Sequence, residues 1–350
     1  MSKNFLKDKP ISGLDISMTS VKMMSIYTKK WTVLGYGSTD VDPQKMLTSL
    51  ETDGKYLSDT LKELTEKKCV GSFKSNHVVV GIPTSKTFIR SLSIPKDTHK
   101  LVDQAVRLEA EQYIPIPVEQ LYIDYEVTDE QSDSLTVMMC ATPKKIVDNC
   151  TIATNSVGLR TVMVEPSILA VARVLQITEE GNLPTVIVDI GPATTDIAIL
   201  DKTIKVTGGV PVGGNTLTID MSKKMKISLE KAHQLKVLNG LSPGQNQEQI
   251  TQAITPSLSR IIQEVKKVLR YYGERIAGAK EIQQIIIVGG GSNLPGIGEY
   301  FTNNLMIACR IASPWQVFDF GKLPKPARQF KPRYLTVAGL ASVKPEDMWK

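Results

Sequence analysis

The sequence predicts an α/β protein of two related halves, the first of which carries an inserted block. Three stretches predict this. At 185–201, TVIVDIGPATTDIAILD, an apolar run leads into Asp189, turns through Gly191, Pro192, Ala193, Thr194 and Thr195, and resumes at 197–200. Near the amino end, GLDISMTSVK at 13–22 repeats that layout. There Asp15 stands at the place of Asp189, Ser17–Ser20 at that of Gly191–Thr194, and Lys22 at that of Asp196. In the third stretch, the apolar run 285–288 ends in Gly289, Gly290, Gly291, Ser292 and Asn293, and a helix-like segment follows at 296–305.

The first two stretches read as strand, turn, strand, with a carboxylate closing the first strand and backbone and hydroxyl donors in the turn. Such a turn can cradle an anion, and the carboxylate beside it can hold a hydrated Mg²⁺. Two of them far apart in one chain predict two related half-domains with a ligand's phosphates between them. A strand ending in three glycines lets a flat ring or a ribose come close to the backbone, where any side chain would block it.

The chain's 350 residues suffice for two domains with full cores. Its 41% hydrophobic and 22% charged content is that of a globular protein rather than a disordered one. The net charge of +6 comes from scattered lysines. The densest basic stretch, 322–333, is laced with prolines and reads as a solvated connector, so nucleic-acid binding is not expected. Cys69, Cys140, Cys150 and Cys309 show no CxxC spacing and read as free thiols of a reducing compartment. His77, His99 and His233 form no ligand pair at helical spacing, which argues against a structural zinc. The start MSKNFLKDKP has no apolar core of signal-peptide length, and no run approaches the ~18 apolar residues of a membrane span. The expected location is cytoplasmic, with any membrane attachment made through a partner.

Taken in order, 30–39 reads as a strand. Pro43 then opens a segment with Leu47, Leu50, Leu57, Leu61 and Leu64 at near-helical spacing, interrupted at Gly54. Residues 76–81 (NHVVVG) read as a buried strand and 87–94 as an alternating edge strand. Pro95, Lys96, Asp97 and Thr98 read as a helix start, with Leu101, Val102, Ala105 and Leu108 as its apolar stripe. Pro115 and Pro117 then force an extended path. Strands at 121–127 and 134–141, a helix at 144–157 and a strand at 158–165 complete a block with no counterpart in the second half. A helix at 167–176 leads to the central hairpin. Beyond it come a strand at 205–211, the glycine pair Gly213 and Gly214, and helices at about 215–226, 228–239 and 247–273. A short strand at 309–311, a proline-rich loop at 314–332 and a last helix at 334–343 end the chain. That last helix is expected to pack on the first domain. The domain expectation is therefore 11–94 with 163–180 and 334–345 as the first domain, 95–162 as its inserted subdomain, and 181–333 as the second domain, in which 208–275 is helical.

The two Asp-led hairpins, the GGG turn and the helix opened by Glu165 and Pro166 resemble the actin-like ATPase superfamily, which includes actin, sugar kinases and the cell-division protein FtsA. Within it, AVRLEAEQYIPIPVEQLYIDYEV at 105–127 looks like the signature of the PilM family of type IV pilus assembly. VPVGGNTLT at 210–218 and VGGGSNLPGI at 288–297 match that family in place. The resemblance covers about 11–343, nearly the whole chain.

It implies an actin-like fold with two α/β domains flanking a nucleotide cleft, and ATP with Mg²⁺ as cofactor. Asp15 and Asp189 would position the metal and its waters. Ser17, Thr19, Ser20 and Lys22 would face the β- and γ-phosphates from one side, and Gly191, Ala193 and Thr194 from the other. Gly213 and Gly214 would line the phosphate region, and Gly289, Gly290, Gly291 and Ser292 would pack on the adenosine. Glu165 stands where relatives often orient the attacking water. Three departures bear on how nucleotide is held: Ser17 replaces a usual glycine, Pro192 removes an N–H donor, and His233 stands where many relatives have a glutamate, with Lys236 retained after it. The resemblance also implies that a groove between the first domain and its insertion accepts the amino-terminal tail of PilN, an inner-membrane protein, as an extended peptide.

The function this predicts is a nucleotide-binding assembly protein at the inner face of the cell membrane. It would link the membrane alignment complex to the pilus motor ATPase, with ATP as a conformational ligand and with homo-oligomers possible. The alternatives are a sugar-kinase-type phosphotransferase, for which no catalytic base or sugar pocket stands out, and an FtsA-like filament former. The latter normally needs a terminal amphipathic helix, and KPEDMWK at 344–350 is too short for one.

Overall fold

Two sheets grow from the two hairpins by the same path. The computed structural model describes residues 10–96, 101–179, 181, 183–276 and 278–344. It divides into two units. One takes the described residues up to Glu179 together with Pro314–Pro326 and those from Tyr334 on, and the other takes 181–313 and Ala327–Arg333.

In the first unit, β1 (Ser12–Ile16), β2 (Ser20–Tyr27) and β3 (Thr32–Asp40) form an antiparallel meander. Asp42 then caps α1 (Pro43–Glu51) by accepting from the Lys45 N–H, with Pro43 in the first turn. Gly54, at φ +68°, breaks the helical run before α2 (Lys55–Glu63). Leu50, Leu57, Leu61 and Leu64 are fully buried as their spacing predicts, while Met46 rather than Leu47 fills the core in α1. After β4 (Cys69–Gly71) comes β5 (His77–Ile82), buried at all six positions because both faces of its sheet are covered. The chain continues through β6 (Phe88–Pro95), α3 (Val102–Tyr113), β7 (Leu121–Glu130), β8 (Ser134–Pro143), α4 (Lys144–Ser156), β9 (Arg160–Pro166) and α5 (Ser167–Thr178). The helix start expected at Pro95–Thr98 falls partly on 97–100, outside the described residues.

The second unit runs through β10 (Thr185–Ile190), β11 (Thr195–Asp201), β12 (Thr203–Val210), α6 (Gly214–Met225), α7 (Leu229–Leu238), α8 (Gln247–Arg275), β13 (Gln284–Val288), α9 (Ile297–Leu305) and β14 (Cys309–Ile311). The last helix, α10 (Leu335–Ala341), belongs to the first unit.

The first sheet has the order β4-β3-β2-β1-β5-β9 and the second β12-β11-β10-β13-β14. Without β4 they correspond strand for strand, each with three antiparallel strands followed by two parallel ones. The duplication read from two hairpins therefore extends to whole sheets.

The insertion has a sheet of its own, in the order β6-β8-β7, with α3 on one face. It draws in β6, which lies before the expected boundary at 95, because Leu92 and Ile94 alternate toward the α3 core. Conversely, α4 leaves the insertion: Ile146, Cys150 and Ala153 pack with α1 and α2 in the first core. The earlier part of the proline-rich loop packs on the first unit, while 322–333 has no buried residue, in keeping with a solvated connector. Val33 N–H donates to Asp319 O at 2.8 Å, Tyr36 Oη donates to Pro324 O at 2.6 Å, and Phe318 and Phe320 meet Trp31 and Tyr36 edge to face.

As expected, α10 packs back on the first sheet, against β1, β2, β5 and α5. The contact is backbone to backbone. A Cβ on Gly13 would lie 2.5 Å from Val337 O and 2.6 Å from Ala341 N, and one on Gly339 would strike Ala170 O. Gly13→Ala is therefore expected to destabilise the protein by about 1–3 kcal/mol. Gly273→Ala, in the exposed last turn of α8 with open space around it, is expected to stabilise by about 0.5–1 kcal/mol. Denaturant unfolding of the two variants beside the parent checks both signs.

Candidate functional site

The strand registers fix what the two hairpins have in common. Asp15 pairs with Lys22 across β1 and β2, and Asp189 pairs with Asp196 across β10 and β11. Both carboxylates sit one residue before the strand end, and each has a parallel strand on its other side, Gly81 beside Asp15 and Val288 beside Asp189. The same i to i+3 bond closes both turns: Ser17 N–H to Ser20 O at 3.0 Å, and Gly191 N–H to Thr194 O at 2.9 Å. The hairpins are the same device in the same register.

They handle charge differently. In the first, Lys22 Nζ donates to Asp15 Oδ2 at 2.8 Å, and both side chains are almost wholly buried. Lys22 is thus aimed at the carboxylate of its own hairpin. Ser17 makes up for the absent glycine with its hydroxyl: Oγ accepts from the Ser20 N–H at 3.1 Å and from the Thr19 N–H at 3.4 Å. Two of the donors that the sequence offers to phosphate are engaged within the turn. Glu165, at the end of β9, lies in the same row as Asp15 with only Gly81 between them. Both its oxygens accept from Arg173, at 2.7 and 2.6 Å, and Arg173 also donates to Gly339 O at 3.0 Å. A carboxylate closed on arginine in this way ties β9 to α5 and α10.

In the second unit the predicted residues converge on the hairpin one after another. Gly289 (φ +76°) leaves β13 against Asp189, and a Cβ there would strike Asp189 Oδ1 and lie 2.6 Å from Ile190 O. A Cβ on Gly291 would strike the Ile190 side chain, whereas Gly290 has open space, its nearest neighbour being Arg333 Cγ at 3.9 Å. Ser292 Oγ donates to Gly289 O at 2.7 Å and closes the turn. The GGG stretch is therefore a backbone surface laid against the carboxylate, with one glycine facing outward.

Gly213 and Gly214 meet the hairpin from the other side. A Cβ on Gly213 would sit 2.5 Å from Gly191 O, and the Gly214 and Asn215 N–H groups donate to Gly191 O and Pro192 O at 2.9 and 2.8 Å. Pro192 takes part through its carbonyl. These glycines seat the start of α6 on the turn that carries Ala193 and Thr194. Lys236 of α7 reaches the same place, where its Nζ donates to Gly214 O at 2.6 Å and Thr218 Oγ1 at 2.7 Å. Burial lowers its pKa from the ordinary lysine value to about 8. Exposed His233 sits near enough that burial and the Lys236 charge lower its pKa too. Sequence reading missed Arg333 beside Gly290, since nothing in the connector marks it out.

A second feature belongs to the first unit alone. A groove of about 840 Å³ opens between the first core and the inserted sheet, with Phe88, Ile116, Pro143 and Ile146 as its apolar lining and Lys86 and Asp148 among its charged residues. Lys86 is paired to Glu51 at 2.6 Å, and Tyr122 Oη donates to Asp148 at 3.0 Å. Ile116 comes from the proline-bounded stretch 113–117 that the sequence sets apart.

The observed residues fit Mg-ATP by their chemistry. Mg²⁺ keeps most of its waters and takes one or two carboxylates plus phosphate oxygens, so it needs no ready-made cage. Among the described residues no group of three or more metal-binding side chains is gathered. No helix of the described residues is long and apolar enough to cross a membrane.

Comparison with known proteins gives this architecture its relatives. A solved PilM-PilN type IV pilus biogenesis complex contains a chain that superposes with a TM-score of 0.75 at 21% identity, covering 95% of this chain and 98% of that one. MreB5 of Spiroplasma citri, solved bound to ADP, superposes at 0.54 with 15% identity and 95% of both chains covered. These show the fold, which is the actin-like fold. The cell division protein FtsA of Neisseria meningitidis serogroup B is 26% identical over 323 residues, 79% of this chain and 75% of that protein. The family model of the type IV pilus assembly protein PilM matches residues 13–344, and the chain belongs to that family.

Proposed function

We propose that this chain is an ATP-binding adaptor of type IV pilus assembly. It takes Mg-ATP on its two Asp-led hairpins and the amino-terminal tail of an inner-membrane PilN-type protein in the groove of its first unit. It thereby works at the inner face of the cell membrane and joins the alignment complex to the cytoplasmic motor. The observation that carries the nucleotide half is the shared register of the hairpins, each with a strand-end aspartate, together with the side-chain-free surface of Gly289–Gly291 against Asp189.

Asp15 and Asp189 are the residues that would hold the metal through its waters. Ala193 and Thr194 supply turn donors, Lys236 a cation, and Gly290 the surface for the base. When bound, Mg-ATP supplies dense negative charge to turns rich in N–H and hydroxyl groups. With Glu165 closed on Arg173, ATP acts in this reading as a ligand that biases conformation, and no hydrolytic step is assigned.

The groove suits an extended peptide. Its apolar lining takes alternate side chains, and its polar rim meets the peptide backbone. Tethering through such a tail brings the chain to the bilayer.

Two outcomes follow from the nucleotide assignment. Calorimetric titration should show binding of Mg-ATP by the parent, and Asp189→Asn should weaken it by about tenfold or more while the melting curve keeps its cooperativity. A parent that binds no Mg-ATP, or a variant that binds it equally, overturns the assignment. The pH dependence is also fixed in sign. Lys236 is charged below its pKa of about 8 and neutral above it, so Mg-ATP affinity should fall as the pH rises from about 7 to 9. In Lys236→Met that step should be absent.

A further inference from the structure

The margin of the first sheet beside the start of β3 gathers lysines and aromatic rings. Three stretches of the first unit meet there: the β2–β3 turn at 27–32, β4 with its exit at 69–74, and the connector at 314–326. Together they carry five lysines and one carboxylate, that of Asp319.

Backbone and ring contacts make one surface of them. The Val33 N–H donates to Asp319 O at 2.8 Å and the Asp319 N–H to Trp31 O at 2.9 Å, so the connector lies alongside the start of β3. A Cβ on Gly71 would meet Leu323 Cδ2 at 3.0 Å, and one on Gly35 would meet Phe73 Cε2 at 3.0 Å. Phe318 holds Trp31 edge to face at 5.9 Å and Trp315 tilted at 5.5 Å. On these stretches Lys30, Lys74, Lys322 and Lys325 are exposed. No carboxylate among the described residues pairs with them.

Local structure does not account for this gathering. A lysine beside an edge strand guards against strand-to-strand pairing, which explains Lys74 next to β4. Lys30 stands in a turn and Lys322 and Lys325 in a loop, where no such guard is needed. Trp31 has φ +51°, a left-handed position that a bulky residue enters at a cost and that glycine takes freely. Despite that cost its ring is only half-buried, as is that of Trp315. Tyr27 and Val70, 36% and 38% exposed, extend the apolar surface.

We infer that this margin rests on the anionic headgroups of a phospholipid bilayer. Tryptophan and tyrosine rings settle at headgroup level. Lysine stems lie along apolar surface while their charges stay in water among the phosphates, and each lysine near an anionic leaflet adds attraction. An acidic protein would be met by the lysines alone. A nucleic-acid strand is held by stacking bases on open ring faces, whereas both tryptophans here are packed on Phe318. The contact is peripheral. One basic patch binds weakly and reversibly, so it acts beside a second tether rather than in place of one. The margin shares no residue with the two hairpins or with the lining of the groove, and the inference stands or falls separately from the nucleotide and peptide reading.

Co-sedimentation of the full chain with vesicles, without nucleotide or peptide, tests it. At about 50 mM salt the chain should bind vesicles of phosphatidylglycerol and phosphatidylcholine in equal parts, and at about 0.5 M salt it should release them, since the Debye length then falls to a few ångströms. Vesicles of phosphatidylcholine alone should bind more weakly by about tenfold or more, and so should the chain with Lys30→Gln, Lys74→Gln, Lys322→Gln and Lys325→Gln on the anionic vesicles. If that chain fails to melt cooperatively, Lys322→Gln with Lys325→Gln in the exposed connector replaces it, with a loss of about threefold expected. Free glycerol 3-phosphate at the same headgroup concentration should not displace the chain, which separates a lipid surface from a site for soluble phosphate. With Trp349→Phe as background, the emission of Trp31 and Trp315 should move to shorter wavelength on anionic vesicles. Equal binding to both kinds of vesicle overturns the inference, as does binding indifferent to the lysine substitutions or an unshifted emission. So does a chain that passes over the vesicles and takes single-stranded DNA or an acidic peptide instead.

Discussion

A carboxylate placed one residue before the end of a strand, in a register fixed by its hairpin, is the constraint on which the rest of this structure depends. It appears twice. At Asp15 the charge is neutralised by Lys22 across the pair, both side chains being almost wholly buried. Such a pair adds little net stability, yet removing one partner of a buried pair costs about 3–5 kcal/mol, because the other charge is then stranded. At Asp189 the residue across the pair is Asp196, and the Gly289 backbone lies against the carboxylate on the β13 side. The second hairpin therefore sets two aspartates across from each other beside glycine backbone, while the first pairs an aspartate with a lysine and has a turn braced by Ser17. The halves share a frame but are not equivalent.

The packing around each hairpin follows from this placement. Parallel strands beside Asp15 and Asp189 require covered faces, and their neighbours β5 and β13 are accordingly buried almost throughout. In the first unit the cover on one face is α10, which arrives from the end of the chain and comes so close that Gly13, Gly81 and Gly339 have no room for a Cβ. In the second unit the start of α6 is seated on the hairpin turn by Gly213, and α7 brings Lys236 to it. Glu165 and Arg173 join this scaffold: their ion pair reaches Gly339 O and so binds the α10 contact to β9.

What the sequence made legible was local. Strand, turn and strand around each aspartate, the glycine exit of β13 and the apolar stripe of α8 all lie within short windows, and the duplication followed from aligning two such windows. What it hid depends on contacts between remote residues. Nothing near Glu165 announces that Arg173 will take both its oxygens. Composition alone does not show that the Ser17 hydroxyl satisfies the N–H groups of Thr19 and Ser20. The exchange of β6 for α4 at the insertion's border was equally hidden, since each has an apolar face that suits either core until the partner sheets are known. Gly213 looked like a phosphate glycine and proves also to be a spacer against Gly191, a role set by the path of α6.

A nucleotide that biases the conformation of this chain should also change the groove that a peptide meets, so the two features are expected to communicate. Calorimetry of Mg-ATP binding with and without a saturating PilN-type amino-terminal peptide, together with the reverse titration, reads that coupling. Both ligands should bind, and each should change the other's affinity by the same factor, as linkage requires. Binding of both with no mutual effect would contradict it and leave two independent sites on one fold.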